Sequence, residues 1–166
     1  MKGLKTTILG ATLGIVWIAL TAINSIQFDI NCEGHLKRAA DANSIKLAKQ
    51  ELKISLDYIE EHKMTTGNTA VLWVKPEHEL DFWYDNIKSS YDELSLLTDS
   101  TSGLEKSNML IKLRETLIDH SGKSGDSVTK PPKIANYPHH LLIWILGWVS
   151  AIVLVVGLIR AGISFS

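Results

Sequence analysis

The sequence predicts an all-α membrane protein, in which two transmembrane helices bracket a small extracytoplasmic domain of three helices with one short extended segment. Residues 141–159 carry no charge, and nineteen residues at a rise of about 1.5 Å each match a hydrocarbon core of roughly 30 Å. A second apolar run covers residues 8–23. All 18 acidic and 14 of the 17 basic residues lie within residues 28–140, so we expect the soluble part between the spans.

The first transmembrane helix is predicted within residues 1–27. Lys2 and Lys5 precede the apolar run as they would in a signal peptide, but Leu20 is a poor residue three places from a cut after Ala22. We therefore expect an uncleaved anchor. The two lysines favour a cytoplasmic N-terminus, and a second span returns the C-terminus to the cytoplasm. The inverted topology stays open, because long connecting segments cross the membrane largely regardless of their charge.

The extracytoplasmic domain is predicted to cover residues 28–122. Apolar residues at three- and four-residue steps predict a first helix over residues 35–64. A second helix is expected to begin at Pro76, a favoured first position, and the capping box Ser102-x-x-Glu105 predicts the start of a third. Residues 69–74 form the one β-like run, which predicts the short extended segment, either a connector packed on the helices or an edge that pairs with another copy.

A linker is predicted over residues 123–138, because this stretch is rich in Ser, Gly and Pro and shows no periodicity. The second transmembrane helix and a short C-terminal tail then occupy residues 139–166. Whether the first membrane helix runs directly into the first soluble helix is left open by Gly34 at their junction.

Small residues form a stripe on each predicted span, as helices that pack closely in lipid require. Gly10-x-x-x-Gly14 lies in the first span, and Gly147-x-x-x-Ala151 is a small-xxx-small pair in the second. We predict helix–helix contact through these stripes, either within one chain or between copies. The predicted contact residues are Gly10, Gly14, Thr21, Gly147, Ser150, Ala151, Gly157 and Ala161.

Four aromatic residues of the soluble domain are candidates for a ligand or partner surface, although such residues more often form the core of a small bundle. They are Trp73, Trp83, Tyr84 and Tyr91. Cys32 is the only cysteine, so an intrachain disulfide is excluded, and in an oxidising compartment it could link two copies. The alternative is a small, partly buried side chain near the membrane exit.

No residue pattern indicates catalysis, a metal site or a cofactor. The six histidines lack HxxxH and HExxH spacing, and the GxSxG, phosphate-binding and dinucleotide-binding motifs are absent. Residues 28–140 carry 14 basic and 18 acidic side chains, a net charge of −4, and show no basic face for nucleic acid. We therefore expect a non-enzymatic protein without metal, cofactor or nucleic-acid partner.

These features predict an oligomeric integral membrane scaffold or accessory subunit that acts through its extracytoplasmic helical domain. The expected partners are the lipid bilayer and either further copies or the subunits of a larger membrane complex. The absence of an Asn-x-Ser/Thr sequon favours the bacterial plasma (inner) membrane. An alternative function is an extracytoplasmic sensing or ligand-binding module that relays to a membrane partner.

Two spans around an extracytoplasmic helical domain, with the proline-containing approach Tyr137-Pro138 to the second span, resemble the polysaccharide chain-length regulators of bacterial inner membranes. The resemblance is one of architecture, because this domain is much smaller than theirs and no motif carries over. It implies, as a further alternative, a small protein of that kind, and it assigns no role to any residue.

Overall fold

A computed structural model describes residues 2–98, 100–120 and 126–163 of the chain. The chain divides into two compact units, one formed by Met1–Ile26 with Ala135–Ser166 and the other by Gln27–Ile134. Four parts lie outside the described residues. They are Met1, Asp99, residues 121–125, where the third helix was predicted to end and the linker to begin, and residues 164–166 of the predicted C-terminal tail.

Two long apolar helices dominate the first unit. Helix α1 spans Lys2–Phe28, and the last helix, α6, spans His140–Ile163. Both belong to helices long and apolar enough to cross a membrane, and their most apolar windows are only 6% and 17% buried within the protein. Such exposure differs from that of a core helix in a soluble domain. The prediction of a mostly helical protein with two such helices is confirmed.

The helical backbone continues beyond α1 without a break. A π-helical turn, Asp29–Glu33, joins α1 to helix α2, Gly34–Ala40. Gly34 has helical dihedral angles, φ −58° and ψ −37°, so it does not interrupt the chain direction. A Cβ atom at this position would lie 2.9 Å from the carbonyl oxygen of Asp29, which explains why glycine suits this turn. The question that the sequence left open is thus answered by a continuous helix.

Helices α2, α3 (Ile45–Glu61), α4 (Leu80–Leu96) and α5 (Gly103–Leu117) build the second unit. Their apolar stripes, spaced as the sequence predicts, form its core. The fully buried side chains of these four helices include Leu36, Leu52, Ile59, Leu80, Ile87, Leu94 and Leu117. Each contributes about 1.5–3 kcal/mol when it leaves water, so this core accounts for most of the stabilisation of the domain.

The prediction of a single helix over residues 35–64 is wrong, because a turn at residues 41–44 separates α2 from α3. Ser44 begins α3 by accepting a hydrogen bond from the backbone N–H of Leu47 at 3.4 Å. Short polar side chains compete with the helix for backbone hydrogen bonds, and this favours a helix end here. The predicted cap at Ser102 is present, since its Oγ accepts from the N–H of Glu105 at 3.2 Å.

The predicted extended segment, residues 69–74, does not form a strand. It belongs to a loop that leaves and re-enters the domain at the isolated β-bridge between Asn68 and Glu79. A 3₁₀ turn, Pro76–His78, stands where the second helix was expected to begin, and α4 begins only at Leu80. A single short run without a neighbouring strand cannot satisfy its backbone groups in a sheet, so it follows a loop path.

The stretch predicted as a linker is partly folded onto the domain. Strand β1, Ile118–Asp119, pairs antiparallel with strand β2, Ser127–Val128. The backbone carbonyl of Thr129 accepts a hydrogen bond from the indole Nε1 of Trp83 at 2.8 Å. Ile134 is buried as well. These contacts draw the stretch into the second unit, although its composition is typical of a linker.

Candidate functional site

Helices α1 and α6 pack against each other in opposite directions and in matched steps. Positions 3, 7, 10, 14 and 17 of α1 lie opposite positions 161, 157, 154, 150 and 147 of α6. Steps of four and three residues alternate on both helices. An average of 3.5 residues is the spacing of a left-handed coiled-coil seam, so the two helices form a regular antiparallel pair.

Two glycines let the helix backbones touch at the middle of this seam. A Cβ atom on Gly10 would lie 2.5 Å from the backbone nitrogen of Leu154, and one on Gly157 would overlap the backbone of Thr7. Real Cβ atoms essentially never approach other heavy atoms within 3.0 Å. Any side chain at either position would therefore push the helices apart.

The two ends of the seam use different contacts. At one end a Cβ on Gly3 would lie 2.6 Å from the backbone nitrogen of Ala161. At the other end the indole of Trp17 covers Gly147, where an added Cβ would be 3.0 Å from the ring. The Nε1 atom of Trp17 is buried and has no hydrogen-bond partner among the described residues. The ring is thus held by packing alone.

Gly14 and Ala151 both line an open groove, and Gly14 makes no close backbone contact. The atom nearest to a Cβ on Gly14 would be Ser150 Oγ, at 3.9 Å, which is ordinary van der Waals contact. The groove has a volume of about 550 Å³, and Trp144 and Trp148 line its other parts. The predicted stripe therefore contains tight positions and one open position, which sequence alone does not distinguish.

Hydroxyl groups near the seam bond to their own helix. Thr7 Oγ1 donates to the carbonyl oxygen of Gly3 at 3.0 Å, and Ser150 Oγ donates to that of Gly147 at 2.8 Å. Thr21, a predicted contact residue, donates to a carbonyl of its own helix in the same way. These bonds contribute no attraction between the helices, so close packing of small residues holds the pair.

The four candidate aromatic residues do not form one pocket. Trp83 is buried and hydrogen-bonded, so it is a core residue. The Tyr84 hydroxyl donates to Glu60 Oε1 at 2.8 Å, and this hydrogen bond raises the pKa of Tyr84 to about 12. Tyr91 lines a separate cleft on the domain. Trp73 is 85% exposed and contributes to none of these environments.

Trp73 belongs to a loop of the domain, residues 69–78, which we call the aromatic loop. Thr69 N–H donates to the carbonyl of His78 at 3.0 Å, so the two ends of the loop are fixed together. Trp73 has a φ of 52°, an unusual angle for a residue with a large side chain. Leu72 and Val74 beside it are also exposed.

Phe82, in the first turn of α4, is 70% exposed and lies four residues after the end of the aromatic loop. This exposure could be predicted from the sequence. The signal was present, because the buried stripe of α4 includes Leu80, Trp83 and Ile87, and these positions leave residue 82 on another face. Phe82 is thus a further large apolar side chain that the domain exposes.

Cys32 lies in the core of the second unit and is completely buried. Its backbone carbonyl accepts a hydrogen bond from Ser55 Oγ at 3.0 Å, which ties α3 to the π-helical turn. A second chain could reach this sulfur only if the domain opened. The burial favours the structural alternative over a disulfide between copies.

One buried carboxylate is held by ion pairs inside the domain. Glu51 is 3% exposed, His35 Nδ1 lies 2.6 Å from its Oε2, and Arg38 pairs with its other oxygen. A carboxylate buried in this way needs such partners to offset its desolvation. The three residues join α2 to α3 and have the arrangement expected of a structural ion pair.

No group of three or more His, Cys, Asp or Glu side chains is placed to hold a metal ion within residues 2–98, 100–120 and 126–163. Comparison of the chain with protein-family models, curated proteins and solved structures found no match.

Proposed function

We propose that this protein is a non-enzymatic membrane scaffold or accessory subunit, anchored by α1 and α6, whose folded domain binds a partner protein through the aromatic loop. The proposed location is the bacterial inner membrane, with both termini in the cytoplasm and the domain outside it. The partner is a second copy of the chain or another subunit of a membrane complex.

The helix pair supports the anchoring role. Its outward surface is apolar along both helices, and within the described residues α1 and α6 contain four ionisable residues. These are Lys5, His140 and Arg160, with Lys2 at the first helical position. All four lie within the first or last few residues of their helix, where long basic side chains reach the membrane surface.

The exposure of Trp73 is the observation that best supports binding of a partner protein. Tryptophan is enriched among the residues that dominate binding energy at protein interfaces. Burying Leu72, Trp73, Val74 and Phe82 together would yield on the order of 5 kcal/mol. Association costs about 4–15 kcal/mol in lost translational and rotational freedom, so burial of these four side chains alone supports only a weak contact. Confinement of both partners to one membrane raises their effective concentration and makes such a contact sufficient.

The test replaces Trp73 by Ala in the full chain, purified gently from membranes. We expect the partner to be lost, with an affinity at least roughly thirtyfold weaker, which corresponds to the 2 kcal/mol or more of an interface hot spot. Leu104→Ala is the matched control, because Leu104 is 73% exposed on α5, outside the loop. This control should keep the partner.

Particle mass in detergent distinguishes the two kinds of partner. A particle made only of this chain, which dissociates when Trp73 is replaced, supports self-association. A second protein at fixed stoichiometry, lost with the same substitution, supports an accessory subunit. A wild-type monomer without any partner, or equal losses in the Trp73 and Leu104 variants, contradicts the proposal.

A further inference from the structure

An open cleft of about 820 Å³ lies on the domain between α3 and the segment that leads from α4 into α5. Its wall contains residues of α3, Tyr91 of α4, the turn residues Leu97 and Thr98, and Lys106 of α5. Sites for small organic ligands have volumes of about 300–1,000 Å³. The cleft is therefore large enough to hold such a ligand.

The cleft concentrates positive charge on a domain that is acidic overall. Four lysines line it, and among the described residues of the wall only Glu51 carries a carboxylate. Glu51 already pairs with His35 and Arg38, so it does not neutralise Lys46 or Lys49. The lysines of the wall are Lys46, Lys49, Lys53 and Lys106.

Two of these lysines have no partner within the part of the chain that the structure describes. Lys46 and Lys49 make no side-chain hydrogen bond or ion pair there, whereas Lys53 pairs with Asp57 one turn away. Residues 46, 49 and 53 follow steps of three and four along α3, which places them on one face. Like charges on one face repel each other, and a bound anion would relieve that repulsion.

Apolar side chains supply the rest of the wall. Ile45, Ile54 and Leu97 line it together with the ring of Tyr91. Lys49 is half-buried, so its methylene stem adds to this apolar surface while its ammonium stays available. A free inorganic anion would leave these groups without contact, whereas an organic anion would use them together with the lysines.

We propose that this cleft binds an organic phosphate monoester whose body is apolar or aromatic. A phosphate monoester carries close to two negative charges, which suits several lysines around one group, and lysine is a common phosphate-binding residue. A soluble phosphorylated metabolite and a phosphate-bearing lipid headgroup share this chemistry. The proposal is independent of the partner contact at the aromatic loop, because the two sites share no residue.

Calorimetric titration of the full chain in neutral detergent tests the site with phenyl phosphate and with short-chain dihexanoyl phosphatidic acid. The test variant is Lys46→Gln with Lys49→Gln. Its matched control is Lys37→Gln with Lys63→Gln, because those lysines are exposed and lie outside both the cleft and the aromatic loop. We expect the test variant to bind about tenfold or more weakly, since each lysine offers a charge-assisted bond, and the control to be unchanged.

Binding of phenyl phosphate that weakens only in the test variant supports a soluble ligand. Binding of dihexanoyl phosphatidic acid alone, with the same dependence on Lys46 and Lys49, supports a lipid headgroup. Absence of binding for both probes overturns the proposal, as does an equal loss in the control variant. None of these outcomes affects the test of the partner contact, which depends on the Trp73 variant.

Discussion

Replacing Gly10 by Ala is the most direct perturbation of the helix pair. The added Cβ would lie 2.5 Å from the backbone nitrogen of Leu154, where ordinary contacts begin at 3.4 Å. The helices must therefore separate by about 0.9 Å at this step. The same substitution at Gly14 meets only Ser150 Oγ, at 3.9 Å, so it needs no movement. The two glycines of one sequence motif should thus respond differently.

The magnitude follows from two opposing effects. Alanine is favoured over glycine inside a helix by up to about 1 kcal/mol, so Gly14→Ala should be neutral or slightly stabilising. At Gly10 the same gain is opposed by separation of the backbones, and a gap of 0.5–1 Å forfeits a quarter to a half of the dispersion energy across it. Overpacking of this kind costs about 1–3 kcal/mol. We expect Gly10→Ala to be about 2 kcal/mol less stable than Gly14→Ala.

The assay is unfolding of the full chain in mild detergent by titration with sodium dodecyl sulfate, followed by tryptophan fluorescence and circular dichroism. Gly162→Ala is the control for helix propensity, because a Cβ there meets no atom within 4 Å. Equal stability of the Gly10 and Gly14 variants would refute the close backbone contact at Gly10. Equal destabilisation of both would refute the open groove at Gly14.

Two further predictions concern the domain and its placement. Arg38→Ala should lower the free energy of unfolding by about 1.5–3 kcal/mol, because the buried Glu51 carboxylate then keeps only His35 of its two partners. The measurement is a thermal or chemical unfolding curve, and a free energy unchanged within about 0.5 kcal/mol would contradict the prediction. Ser107→Cys introduces an exposed thiol on α5, whereas the buried Cys32 should not react with a maleimide. A membrane-impermeant maleimide should therefore label the variant in intact bacterial cells. Labelling only after lysis would contradict the proposed topology.

The local periodicities of the sequence were sufficient to predict most of the helical content. Two uncharged runs predicted the long apolar helices, since their length and composition are local properties. The step of three and four residues through Leu52, Leu56 and Ile59 correctly indicated a buried face, as did the cap at Ser102. The small-residue stripes also indicated which faces of α1 and α6 lie opposite each other.

The local sequence pattern did not predict the conformation of segments that contacts outside the segment decide. The β-like composition of residues 69–74 left open a connector or an edge that pairs with another copy, and within the chain these residues follow a loop closed by the Asn68–Glu79 bridge. Residues 126–134 read as a linker, yet the Trp83 indole bonds to the carbonyl of Thr129 and draws them into the domain. In the second case the deciding partner, Trp83, lies 46 positions away from Thr129 in the chain.

The sequence by itself thus determined where the apolar helices lie and that the domain between them is helical, because periodicity and length are carried by neighbouring residues. Only the tertiary structure decided that Gly10 touches a backbone while Gly14 faces a groove, that Trp83 is buried while Trp73 is exposed, and that lysines of α3 share a cleft with Lys106. The first two differences separate residues of the same type, and the third joins residues that are remote in the chain. Their environments depend on which helix packs opposite, and that is fixed by contacts across the fold.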